Sequence, residues 1–182
     1  MRYLIFTLLF TLGACAEIKV RSSYAPNTDF SKYKTWCWLK GCDLVYQGPG
    51  YVMDSATIEH IANAIAVEMQ QKGFVQVDDM SDILVDFHIV VKQDSAISAR
   101  VHEEDLPFWD LYENNYYHFL RGSLIIDIAD RRKGEMVWRS NSRRVMSIQP
   151  DIRLSHIQKG VRKALRKFPP KQVVVESNES GE

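Results

Sequence analysis

Between residues 55 and 72, apolar side chains return every three or four positions: Ile58, Ile61, Ala62, Ile65 and Met69. Glu59, Asn63, Glu68 and Gln70 fill the other positions. That period predicts an amphipathic helix over 55–72. Asp54 or Ser55 stands where an N-cap is wanted, and Gly73 stands where a left-handed C-terminal cap is wanted. A second helical stripe runs through Leu154, Ile157, Val161, Ala164, Leu165 and Phe168. Its other face carries Lys159, Arg162, Lys163, Arg166 and Lys167. Pro150 is expected to open this helix, where a missing N–H is harmless, and Pro169-Pro170 to stop it.

Elsewhere the period is two. Ile83, Val85, Phe87, Ile89 and Val91 fall on one side of a strand, and Asp86 and His88 on the other. Leu120, Leu124, Ile126 and Ile128 mark a strand over 119–129. The turn 130–135 (DRRKGE) returns the chain into a strand over 136–146, so the two form a hairpin. Residues 33–39 (YKTWCWL) are aromatic and β-branched and read as a strand, with a shorter one at 74–77. Residues 40–53 read as loop, and 94–118 as a long excursion without clear periodicity. The order of the longer elements, β-α-β-β-β-α with the short 74–77 strand left out, predicts an α+β fold: a two-layer sandwich with a largely antiparallel sheet packed against two amphipathic helices.

The N-terminus follows a different rule. Arg2 precedes an apolar run from Tyr3 to Leu12, too short to span a bilayer. Leu12-Gly13-Ala14-Cys15 then closes it and resembles a bacterial lipobox. The resemblance implies a signal peptide over 1–14, cleavage before Cys15, and acyl chains on that cysteine. Two or more chains, at about 0.8 kcal/mol per buried methylene, anchor stably. Ala16 replaces the aspartate that favours inner-membrane retention, so the expected address is the outer membrane, facing the periplasm. Residues 15–28 read as a lipidated tether, 29–170 as the domain, and 171–182 as a disordered tail.

Removing residues 1–14 leaves 22 basic and 23 acidic residues, a net charge of −1. That balance argues against a nucleic-acid partner. The domain is long enough for a hydrophobic core. With Cys15 lipidated, Cys37 and Cys42 remain as a pair. An oxidising compartment makes a disulfide the natural expectation, worth about 2 kcal/mol for so short a loop. A redox or metal pair is the alternative, although CxxxxC without a second pair or a nearby His suits zinc poorly.

Chemistry-bearing clusters are few. His102, Glu103, Glu104 and Asp105, with His118, match no standard metal spacing and read as a solvated acidic loop. Trp109, Tyr112, Tyr116 and Tyr117, with Phe108 and Phe119, either cap the sheet or form a recognition surface for a protein or glycan. The cationic face of the last helix is either solvated or meets anionic headgroups. Arg139 and Arg143 share a strand face, from which Arg144 points away. There is no GxSxG, HExxH or Gly-rich phosphate loop. The expectation is a non-enzymatic envelope protein without a cofactor. It would bind outer-membrane lipid through the Cys15 acyl chains and act as an interaction or assembly module for an envelope protein or glycan. The alternative is a module for glycan, peptidoglycan or lipid built on the aromatic 94–118 segment.

Several pieces together resemble the domain-of-unknown-function family numbered 4136, a group of bacterial lipoproteins. They are the lipobox; 29–36 (DFSKYKTW); Ile58 and Ile61 through Lys72-Gly73-Phe74; 82–85 (DILV); 122–127 (GSLIID); Val137-Trp138-Arg139; and Phe168-Pro169-Pro170. The middle departs: a Tyr- and Gly-rich segment is replaced by an acidic and aromatic one. The resemblance implies the fold and the envelope address, and it transfers no catalytic residues.

Overall fold

The computed structural model describes residues 18–40, 45–98 and 115–171, the side chains of 97, 98, 115 and 116 excepted. The strands are β1 (Lys19–Tyr24), β2 (Thr35–Trp38), β3 (Tyr46–Gln47), β4 (Val75–Gln76), β5 (Ile83–Ser98), β6 (Asn115–Asp130) and β7 (Glu135–Met146). The helices are α1 (Ser55–Gln71) and α2 (Leu154–Leu165). All seven strands form one open sheet in the order β1-β7-β6-β5-β2-β4, with β3 also pairing to β5. The long ladders β1–β7, β7–β6 and β6–β5 are antiparallel. The short ladders of β2 with β4 and β5, and of β3 with β5, are parallel. The helix between β2 and β5 makes that parallel return. The expected α+β architecture is therefore present, with both helices feeding the same core.

The alternation of β5 is carried through: Ile83, Val85, Phe87, Ile89 and Val91 are all buried. Register sets Ile128, Ile126 and Leu124 of β6 opposite Val85, Phe87 and Ile89. From α1, Ile61, Ala64, Ile65 and Met69 close onto this surface, and from α2, Val161, Ala164 and Leu165. Asp54 caps α1, its Oδ1 accepting from Thr57 N–H at 2.8 Å. Gly73 has φ +86°, the conformation its position predicts. Glu68, set among the polar positions of α1, is only 8% exposed and accepts from Arg162 Nε at 3.0 Å, tying the helices together.

Strand β3 lies inside the stretch 40–53 expected to be loop, and other features also differ from expectation. Residues 19–24, read as tether, form the sheet's edge strand, which is held by its ladder to β7 more than by burial. The ends of the 94–118 excursion are strand: 94–98 and 115–118 continue the β5–β6 ribbon, while 99–114 lie outside the described residues. The last helix opens at Leu154 and not at Pro150, because the connection first lays Ile148 and Ile152 against the core. Leu154 consequently leaves the buried stripe and is 49% exposed, in a groove between the outer surfaces of the helices. A bulge at Ile128/Ala129 turns both Val137 and Trp138 inward, which simple alternation would not place together.

One end of the sandwich is closed by hydrogen bonds. Asp82 Oδ2 accepts from Lys34 N, Thr35 N and Thr35 Oγ1 at 2.8, 2.9 and 3.0 Å, stitching β2 to β5. Buried Asp130 accepts from Tyr33 Oη at 2.9 Å and from the N–H groups of Arg132 and Lys133. Above them, Phe168 stacks on Phe74 at 5.3 Å and meets Trp138 at 5.2 Å. This is the aromatic end of the core.

Candidate functional site

The other end of the same two layers is not filled. A cavity of about 330 Å³ opens there. Its floor is the helix-side surface of the sheet: Ile89 and Val91 of β5, Leu124 of β6 and Met146 of β7. Its roof is the first half of α2, with Ile157, Gly160 and Val161. Ile18, just ahead of β1, stands on its wall, and Ile152 and Asp151 close the connection side. Asp151 is engaged by Arg153. The volume falls within the range of small-molecule pockets.

Four buried side-chain polar atoms lack a partner among the described residues. Two are the indole N–H groups of Trp36 and Trp138, in the aromatic end. The other two, Ser142 Oγ and Arg144 Nε, belong to residues lining the cavity. Ser142 is 6% exposed. Leaving a donor dry costs about 1–3 kcal/mol, more for a charged group, and because both residues line the cavity a small turn of either side chain brings its donor to an acceptor there. Two residues earlier, on the same face of β7, Ser140 Oγ donates to Ala164 O at 3.0 Å. The contrast shows what a satisfied serine looks like in this fold. Among the described residues no carboxylate forms an ion pair with Arg144.

The sheet's opposite face is polar. Arg139 grips Asp127 through Nε and Nη2, both at 2.6 Å, and this hydrogen-bonded pairing raises the guanidinium's pKa. His88 Nε2 lies 3.0 Å from Asp86 Oδ2, the pair that alternation placed together. Toward the end where β1 begins, this face adds Lys19, Arg143, Lys92 and Arg121, the last paired with Asp94 at 2.6 Å.

Few of the residues singled out in the sequence fall among the described ones. Cys15, Cys42, Trp109 and Tyr112 lie outside the described residues, as do His102, Glu103, Glu104 and Asp105. Tyr116 pairs with Ile97 through the backbone of the β5–β6 ribbon, and neighbouring Tyr117 is 49% exposed. Cys37 is buried and forms no disulfide among the described residues. Its Sγ is 3.1 Å from Ser81 Oγ, whose proton goes to Ile83 O at 2.8 Å, so the thiol is the donor of the pair. Among the described residues no three His, Cys, Asp or Glu side chains converge to hold a metal, and no helix is long and apolar enough to cross a membrane. The cavity has no periodic pattern in the sequence. Its one signal is Arg144 itself: the alternation that removes it from the Arg139–Arg143 face puts a cation on the core side of β7.

No curated protein matches the chain. Solved structures resemble it at low identity. A DUF4136 family protein from Bacteroides thetaiotaomicron is 15% identical, with 84% of this chain and 96% of that one covered and a TM-score of 0.49. The PelC dodecamer from Paraburkholderia phytofirmans is 11% identical over 86% of this chain and 100% of that one, also at 0.49. A PDZ domain protein from Parabacteroides distasonis is 14% identical at 0.49; the match covers 86% of this chain but only 37% of that protein. The family described as domain of unknown function (DUF4136) matches residues 20–170, the edge strand through the end of the second helix and its proline stop, and the chain belongs to that family.

Proposed function

We propose that this chain is a lipid-anchored protein of the bacterial cell envelope, acylated on Cys15, whose α+β domain works as a non-enzymatic interaction or assembly module at the periplasmic face of the outer membrane. The observation that carries the reading is the Leu12-Gly13-Ala14-Cys15 motif, set only three residues ahead of Ile18 and four ahead of β1. Three residues reach about 10 Å at full extension. An anchor at Cys15 therefore holds the start of β1 close to the headgroups. Lys19, Arg143 and Lys92 share that end of the open sheet face, beside the Arg121–Asp94 pair. Each cation near an anionic leaflet adds about 1 kcal/mol of attraction. The envelope protein or glycan that the module meets would approach the rest of that face or the aromatic 94–118 segment.

The test is the intact mass of the protein recovered from cell membranes. A mature chain beginning at Cys15 with acyl mass attached, replaced in Cys15→Ser by an uncut chain without acyl mass, is the expected result. A chain beginning at Met1, bare of fatty acid and soluble, would overturn the reading.

A further inference from the structure

We infer that the cavity between α2 and the sheet is a binding site for a long-chain carboxylic acid, with the hydrocarbon between the layers and the carboxylate on Ser142 and Arg144. Apolar side chains from both layers make the walls: Ile89, Val91, Leu124 and Met146 below, Ile157 and Val161 above. A purely apolar ligand would fit these walls but leave Ser142 Oγ and Arg144 Nε as they stand, buried without a partner. Both are donors, and one carries a positive charge. A carboxylate is acceptor-only, with two oxygens to take two hydrogen bonds, and charge-assisted bonds to Arg are the stronger kind. The ligand class is thus fixed by two matches, apolar wall to chain and donor pair to head. The inference stands on the cavity and its donors whether or not Cys15 is acylated, so it goes beyond the anchoring proposal.

Gly160 supplies the means of testing it without harming the fold. Gly160 lines the cavity, and a Cβ placed there meets only Ile18 Cδ1 outside its own helix, at 4.0 Å. The full-length chain carrying Cys15→Ser, free of attached lipid and of detergent, is titrated with cis-parinaric acid, a fluorescent long-chain carboxylic acid. Saturable one-to-one binding is expected, displaced by palmitate at least about tenfold better than by hexadecanol. Adding Gly160→Leu should weaken binding by about tenfold or more while Tm does not fall. Adding Arg144→Gln should abolish the preference for palmitate over hexadecanol while leaving hexadecanol binding in place. Absence of saturable binding, or unchanged affinity and selectivity in both variants, would overturn the inference. So would a chain acylated on Cys15 that excludes the probe which Cys15→Ser accepts, since the cavity would then hold the protein's own lipid. The state of Cys15, read by intact mass, tests the anchoring proposal separately.

Discussion

The two ends of the core are built from the same two layers and differ in how they are finished. At the aromatic end, Trp36, Trp138, Phe74 and Phe168 fill the space between sheet and helices, and Asp82 and Asp130 satisfy the backbone where strands enter and leave. At the cavity end, smaller side chains leave about 330 Å³ open. Among the described residues two unpartnered polar atoms lie at each end, but Ser142 Oγ and Arg144 Nε belong to residues that border the open space, while the indole N–H groups of Trp36 and Trp138 belong to fully buried side chains. Dense packing and matched donors are what stability favours. At the cavity end open space and unpartnered donors coincide, and a ligand would account for both together.

The comparison predicts an asymmetry in truncation. Phe168 is 1% exposed and touches Phe30, Phe74 and Trp138. Phe168→Ala should cost about 3–5 kcal/mol in urea unfolding. Met146→Ala, at the cavity end, removes a side chain that already borders open space and should cost less than about 2 kcal/mol. Equal losses would mean that the two ends are packed alike.

Titration separates the two ends as well. Hydrogen bonds from Lys34 and Thr35 N–H hold the Asp82 carboxyl below its usual pKa. Burial pushes Asp130 up, but bonds from Lys133 N–H, Tyr33 and Arg132 N–H outweigh it and leave the group lowered as well. A carboxyl lowered in the folded state stabilises above its unfolded value of about 4, and that stability drains as pH falls through the lower folded value. Tyr33 goes the other way: burial, then its bond to Asp130, raises it to about 12. Its contribution is complete below about pH 10 and is lost as pH rises toward the folded value. Urea midpoints across pH should therefore fall at both extremes. Asp130→Asn should flatten the acid limb and Tyr33→Phe the alkaline one; unaltered limbs in both would remove these groups from the account.

Much of the aromatic end was legible in the chain. Period two through Ile83–Val91 and period 3.6 through Ile58–Met69 are direct statements about which face is buried, and Gly73 announces where a helix stops. Other features left no pattern. The edge strand at 19–24 is stabilised by a backbone ladder, and a ladder leaves no trace in side-chain polarity. The bulge that buries Val137 beside Trp138 breaks the alternation that reveals a strand. A cavity is a property of volumes supplied by several separate segments, and no single segment reports it. Only Arg144, a cation on the apolar side of β7, was out of place, and in the sequence it read merely as a residue that did not join Arg139 and Arg143.

Ser140 and Ser142 sharpen the comparison within one strand. Both are buried on the helix side of β7. Ser140→Ala deletes the bond to Ala164 O and leaves that carbonyl with one partner fewer, so a loss of about 1 kcal/mol is expected. Ser142→Ala removes a hydroxyl that has no partner, so stability should be unchanged or rise by up to about 1 kcal/mol. If both cost the same, Ser142 is satisfied within the fold and the cavity loses one of its two head-group donors.

The smallest effect is the most discriminating one. A glycine inside a helix costs about 0.5–1 kcal/mol relative to alanine, through backbone entropy. Gly160 sits in α2 with room for a Cβ, at ordinary contact distance from Ile18 and nothing nearer. Its φ is not in the left-handed region, so neither conformation nor space requires glycine there. Gly160→Ala should raise stability by that amount, seen as a shift of the urea midpoint at unchanged slope. If it does, the residue is kept at a stability cost while facing a cavity, as expected where the open volume serves a ligand. If Gly160→Ala instead destabilises, the space is needed by the fold itself: α2 must sit closer to Ile18 than an alanine allows. The difference between the two ends would then be one of helix packing and not of function.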